Sequence, residues 1–149
     1  EFSEAIRFGR PLSLVMCDID GFKRLNDQHG HPFGDHVLEV FAKILQSGRM
    51  SDVACRYGGE EFGVILPNIP AHEAMDVADR YRRALESHVW SGVEGLRVTV
   101  SLGVADIASL SAETRSPEGL LAEADAALYR AKSAGRNRVE CNSMRGVAR

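Results

Sequence analysis

The sequence predicts an α+β domain, a central and largely antiparallel sheet flanked by helices. Three observations carry this. Residues 12–19 form an apolar run that leaves no face for water. Two short strand-like runs flank Gly58-Gly59 and read as a hairpin in mid-chain. Around them, segments of helical period alternate with strands, giving the order strand, helix, helix, hairpin, helix, strand, helix, strand.

Residues 1–8 read as the last turns of a helix, stopped by Gly9 and Pro11. Leu12 to Ile19 follow as a strand buried on both faces, interrupted only by Ser13 and Asp18. Asp20 is placed to cap a short helix carrying Phe22 and Leu25, and Asn26 to Gly34 is turn-rich. From Asp35 to Ser47, Val37, Val40, Phe41, Ile44 and Leu45 recur at helical spacing. The hairpin strands are Val53–Tyr57 and Glu61–Leu66. A helix over Ala71–His88 places Ala74, Val77, Ala78, Tyr81, Leu85 and His88 on one stripe. Leu96–Ala105 is a strand with β-branched alternation, and Ser109–Pro117 is a loop. A helix over Glu118–Ala134 ends at Gly135, and Arg138–Cys141 is a last strand. Residues 1–141 thus read as one domain, and 142–149 as a disordered tail.

The 149 residues suffice for one such domain, and no linker or repeat divides them. Hydrophobic residues make up 44% and charged residues 26%, an ordinary globular balance. A net charge of −3 argues against a duplex-binding surface, while leaving room for a local basic site around one nucleotide. No apolar run is long enough to span a membrane, so no membrane contact is expected of this domain. Cys17, Cys55 and Cys141 form no paired spacing, and Cys17 and Cys55 read as buried free thiols in a reducing, cytoplasmic setting. The chain opens without Met inside a helix, so it reads as a piece of a longer protein.

Acids mark the chemistry. Asp18 ends an apolar central strand, a place where ligands commonly bind and where helix capping explains little. A two-glycine turn needs backbone freedom, but nothing about a turn requires Glu60 and Glu61 directly after it. Were the hairpin to neighbour the first strand, Glu60 and Asp18 would converge and repel, and a cation between them would resolve the repulsion. Oxygen ligands suit magnesium, which keeps waters and bridges to phosphates. Spacing alone weighs evenly between that reading and two solvated surface acids. Lys23, Lys132 and Arg136 are available for phosphate, with Asp125, Tyr129 and Lys132 on one stripe of the last helix. Attraction to a helix C-terminus would explain Lys132 and Arg136 as well.

The stretch Arg56-Tyr57-Gly58-Gly59-Glu60-Glu61-Phe62 resembles the signature of the GGDEF family of diguanylate cyclases, in its GGEEF form. The resemblance takes in Asp18 to Asp27, His29-Gly30-His31, Gly34-Asp35, Thr99 to Ala105, Ala124 to Lys132 and Gly135 to Val139. It implies the palm-like fold of nucleotidyl cyclases, related to the ferredoxin-like arrangement. It also implies that Asp18, Glu60 and the Ile19 carbonyl hold two magnesium ions, for which manganese could substitute. Asn26 and Asp35 would read guanine with His31 in the same pocket. Lys23, Lys132 and Arg136 would face phosphates, and Gly58 and Gly59 would admit the triphosphate close to the backbone. The implied reaction joins two GTP molecules into cyclic di-GMP across a homodimer, since one domain holds one nucleotide.

Arg49-Met50-Ser51-Asp52, separated from Gly58 by five residues, matches the family's inhibitory product site. An isolated RxxD is usually a surface ion pair; its register with GGEEF is what distinguishes it. Arg80 would complete that site. Two features depart from the family pattern: the stretch that usually precedes the first helix is absent, and glutamate replaces the signature aspartate. The resemblance further implies fusion to an N-terminal sensory or regulatory domain. The alternatives are a non-catalytic GTP or cyclic di-GMP receptor, against which Asp18 and Glu60 are intact, and a dimerisation module, which gives no reason for Asn26, Asp35, Lys132 and Arg136 to match together.

Overall fold

Leu12–Ile19 forms the central strand, β1, and every residue in it except Leu14 is buried. In this computed structural model, which describes residues 1–142, α1 (Phe2–Phe8) precedes it, and α2 (Phe22–His29) and α3 (His31–Gln46) follow. Then come β2 (Val53–Arg56), β3 (Glu61–Pro67), α4 (Ala71–Glu86), β4 (Val100–Asp106), a 3-10 turn (Ile107–Ser109), α5 (Pro117–Ser133) and β5 (Val139–Cys141). The sheet runs β2-β3-β1-β4-β5, antiparallel except for the parallel pair β4–β5. The expected α+β class and element order are those observed.

Alternation along β1 divides the interior into two layers. Val15, Cys17 and Ile19 join Phe41 and Leu45 of α3 and Ala78 and Leu85 of α4. Leu12 and Met16 face the other way, toward Ala124 and Leu128 of α5 and Ala5 of α1. Phe41 is fully buried and meets Phe62 edge to face at 5.2 Å, so Phe41→Ala would cost about 3–5 kcal/mol. On the second layer the backbones come closest at Gly103. A Cβ there would overlap the α5 backbone at Ala124 and Leu128, so glycine lets α5 lie directly on β4.

Several boundaries differ from the sequence expectation. Asn26–Gly34 is not a turn region: α2 and α3 are separated by Gly30 alone, at φ 89°, with Pro32 in the first turn of α3, where its missing N–H costs nothing. The strand expected from Leu96 begins at Val100. β1 ends at Ile19, opposite Val100, and before Val100 the ladder fades to one bond, from the Asp20 amide to the Thr99 carbonyl at 2.9 Å. α4 stops at Glu86, and His88 leaves the helical stripe to meet Trp90 edge to face with ring centroids 4.3 Å apart. Cys17 and Cys141 are buried as free thiols, but Cys55 is exposed because β2 is an edge strand. Asn142, read as the start of a tail, is buried and donates to the Glu123 carbonyl at 2.9 Å. The remainder of that tail, 143–149, lies outside the described residues. Among the described residues no helix is long and apolar enough to cross a membrane.

Candidate functional site

Antiparallel pairing of β1 with β3 sets Asp18 opposite Glu61, and the Ile19 amide donates to the Glu60 carbonyl at 3.3 Å. Asp18 and Glu60 are therefore neighbours at one end of the sheet. By the alternation of β1, Asp18 faces the α5 layer, and there it forms an ion pair with Lys132. Asp18 is buried, with 6% of its surface exposed. Burial and then the Asp18 charge push the Glu60 carboxyl upward from its ordinary value, while Lys132 pulls it down and Glu61 adds to the rise. A carboxyl pushed upward beside a second, buried carboxylate suits a hard divalent cation. The donor set is all oxygen: two carboxylates and the carbonyl of the buried Ile19. Among the described residues no three His, Cys, Asp or Glu side chains gather as a metal cage, so water and substrate oxygens would complete any coordination.

The Gly58-Gly59 turn has a different form from the one expected. Strands β2 and β3 are joined by four residues, 57–60, and neither glycine takes a positive φ. A Cβ on Gly59 would meet nothing within 4 Å, and one on Gly58 only the Glu61 Cβ at 3.8 Å. Neither backbone angle nor protein crowding requires glycine there, which leaves the exposed outer side open to a ligand. Arg56 holds the turn from within, its Nε donating to the carbonyls of Gly58 and Gly59 at 3.1 Å each.

On the opposite side of the end of β1, Lys23 and Arg136 line one open cleft of about 620 Å³ with Asp20, Arg24 and Asp27. Asp20 does not cap α2. Its carboxylate accepts from Thr99 Oγ1 at 2.8 Å, Ser101 Oγ at 2.7 Å and the Asn137 amide at 3.0 Å. Polar residues spaced two apart in an apolar strand, Thr99 and Ser101, were the available sign that an inward partner exists.

The two base-reading candidates meet through Gly34. A Cβ at Gly34 would overlap Asn26 Oδ1, so glycine lets the Asn26 amide lie against α3, one residue from Asp35. Asn26 Oδ1 is buried and has no hydrogen-bond partner. Asp35 borders a cleft of about 530 Å³ between α3 and β2, lined also by Leu38, Ala54, Cys55, Arg56 and Phe62. His31 opens α3 on the surface.

Arg49, Asp52 and Arg80 share a separate cleft of about 700 Å³ between the end of α3 and α4. Within it the Arg49 Nη2 donates to Asp52 Oδ1 at 2.6 Å and to the Pro67 carbonyl at 2.7 Å. The guanidinium fork is thus engaged by groups of this chain, though half open to solvent, and Arg80 is exposed.

A sheet of this topology, with acids at one strand end and basic side chains on and beside the adjoining helices, is the architecture of the nucleotidyl-cyclase class. The sequence profile of the diguanylate cyclase GGDEF domain matches residues 1–138, and the chain belongs to that family. It is 44% identical over 135 residues to the response regulator PleD of Caulobacter vibrioides, covering 88% of this chain and 29% of that protein. It is 47% identical over 131 residues to diguanylate cyclase A of Treponema denticola, covering 86% of this chain and 34% of the other. The chain therefore spans about a third of the length of these relatives. The active GGEEF domain of a Vibrio cholerae diguanylate cyclase superposes with a TM-score of 0.87 at 35% identity, covering 94% of this chain and 88% of that one. The GGDEF domain of DgcB from Caulobacter crescentus, solved with c-di-GMP, gives 0.84 at 33% identity, with 93% and 82% covered.

Proposed function

We propose that this chain is the catalytic domain of a diguanylate cyclase, converting two GTP into cyclic di-GMP and two pyrophosphates. The observation that carries this is the convergence of Asp18, Glu60 and Lys132 at the end of β1, flanked by the Lys23–Arg136 cleft and the Asp35 cleft. Asp18, Glu60 and the Ile19 carbonyl would hold two magnesium ions, or manganese, which lower the pKa of the attacking 3′-hydroxyl and neutralise phosphate charge. Lys23, Lys132 and Arg136 hold the triphosphate through charge-assisted contacts, and Gly58-Gly59 lets it approach the backbone. Asn26 and Asp35 accept from the N1–H and N2–H₂ edge of guanine, which adenine lacks, with His31 at the mouth of the pocket. Glu60 is also within the chemistry as an acceptor for the 3′-hydroxyl proton.

Each 3′-oxygen attacks the α-phosphorus of the other nucleotide and each pyrophosphate leaves, so two domains must face one another across a two-fold axis. Cyclic di-GMP would return to the Arg49–Asp52–Arg80 cleft and hold two domains in a pose that keeps the substrates apart. The parent protein would carry an N-terminal sensory or regulatory domain and display this domain in the cytoplasm. The test is incubation with GTP and magnesium at protein concentrations that support dimers, followed by chromatography. Cyclic di-GMP and pyrophosphate are the expected products. GTP bound but unconverted under those conditions would favour a receptor instead.

A further inference from the structure

The loop that carries Arg136 is held in an unusual shape. Gly135, Arg136 and Asn137 take φ values of 124°, 65° and 48° in succession, although two of the three have a Cβ. Left-handed backbone at consecutive non-glycine residues persists only where neighbours over-determine it. Here they do. The Arg136 amide donates to the Ala131 carbonyl at 3.0 Å, and Arg138 Nε donates to the Arg136 carbonyl at 3.2 Å. The Asn137 amide donates to Asp20 Oδ2 at 3.0 Å.

Asn137 then ties the loop to a third element. Its Nδ2 donates to Glu86 Oε2 at 2.8 Å, and its Oδ1 accepts from Arg82 Nη1 at 3.1 Å. Both partners lie near the end of α4, and Arg82 is itself bonded to Asp79 and Glu86 at 2.8 and 3.0 Å. The Asn137 side chain is thus engaged at both its donor and its acceptor end, whereas the Arg136 side chain is exposed at the cleft it shares with Lys23. One residue spends its side chain on the scaffold, and the next presents its own to the site.

We infer that Asn137, gripped by Asp20 below and by Glu86 and Arg82 of α4 behind, is a positioning residue that aims Arg136 at the substrate phosphates. This rests on the reading of Arg136 as a phosphate contact. Asp20 and Asn137 make no contact with substrate in this account; they act through Arg136 alone.

The test is calorimetric binding of a non-hydrolysable GTP analogue, with magnesium, and of guanosine, to the whole chain and its variants. Asn137→Gly keeps the Asp20 hydrogen bond and the left-handed backbone but removes the ties to α4. It should weaken the analogue about five- to tenfold while leaving guanosine affinity unchanged. Glu86→Ala, which leaves the loop sequence intact, should give the same selective loss. In an Arg136→Ala background Asn137→Gly should have no further effect, because its influence is exerted through the missing side chain. Additive losses, or equal loss of guanosine, would overturn the inference and make Asn137 a general structural residue. Should Arg136→Ala by itself leave the analogue's affinity intact, the phosphate role of Arg136 would fall and the inference with it. If Arg136→Ala weakens binding but Asn137→Gly and Glu86→Ala do not, the phosphate reading stands and the clasp alone is refuted.

Discussion

Asp18 and Lys132, 114 residues apart in sequence, form an ion pair at the end of the central strand. The lysine supplies the positive charge that a buried carboxylate needs, in the place where a divalent cation would supply it otherwise. Lys132→Ala should therefore destabilise the metal-free protein by about 1–3 kcal/mol, less than for a fully buried pair because Lys132 is 36% exposed. Magnesium should recover most of the loss. Thermal denaturation with and without the ion checks this, and a variant that magnesium does not rescue would detach Asp18 from the metal.

Glu60→Gln keeps the volume of the side chain and removes its charge. Since Glu60 lies in a loop and is only half-buried, the fold should survive with Tm nearly unchanged while synthesis of cyclic di-GMP is lost. A folded Gln variant that cycles GTP at the parent's rate would refute the metal assignment.

Base choice rests on Asp35 and Asn26. GTP should bind far more tightly than ATP, and Asp35→Ala should cost about 1.5–3 kcal/mol of that preference. Cys55 offers a second readout, because it is the exposed thiol of the cleft that Asp35 borders. A GTP analogue should slow its alkylation, and equal labelling with and without the analogue would move the base elsewhere.

The Arg49–Asp52 pair is half open to solvent on the arginine side, and such pairs contribute only about 0–1 kcal/mol. A ligand with two phosphates can therefore take the guanidinium from Asp52 at little cost. Arg49→Ala should weaken cyclic di-GMP binding and relieve inhibition while the initial rate with fresh GTP stays near the parent's. Equal loss of initial rate would show that the contact to Pro67 matters more than the product.

The carboxyl of Glu86 is held below its ordinary value of 4.5, chiefly by the hydrogen bond from Asn137, with Arg97 and Arg82 adding to the effect against the opposing influence of burial. A depressed folded value means that the stabilisation is present above the unfolded pKa and fades as pH falls through the folded one. The stability difference between the parent and Glu86→Gln should thus be flat from pH 8 to about 5.5 and shrink in acid below 4.5. A difference that grows in acid would contradict the Asn137 contact.

Much of this was legible in the residues. The apolar run of β1, the stripes of α3 and α4 and the glycine after α5 carry their periods openly, and the convergence of Asp18 and Glu60 at one sheet end is what a hairpin beside β1 produces. What stayed hidden depends on tertiary partners. Asp20 has the sequence signature of a cap, and only the fold shows three donors converging on it. Asn137 sits in a stretch that reads as a connector, and its bonds to Glu86 and Arg82 span more than 50 residues. Cys55 looked buried because an edge strand and an inner strand share one composition. The glycines of the signature looked like turn residues, yet their backbone angles are ordinary, and their smallness faces outward.

The strand β1 is laddered on both sides, its residues 13–18 each facing a partner in β3 and another in β4. Inserting or deleting a single residue between Leu12 and Asp18 would swap the strand's two faces, carrying the carboxylate into the layer of Phe41 and leaving Lys132 opposite Cys17 or Ile19. Length is therefore as strict a specification here as residue identity. The turn at 91–95, outside any ladder and largely exposed, has no such constraint, and additions to the chain, such as a fluorescent label or a grafted loop, belong there.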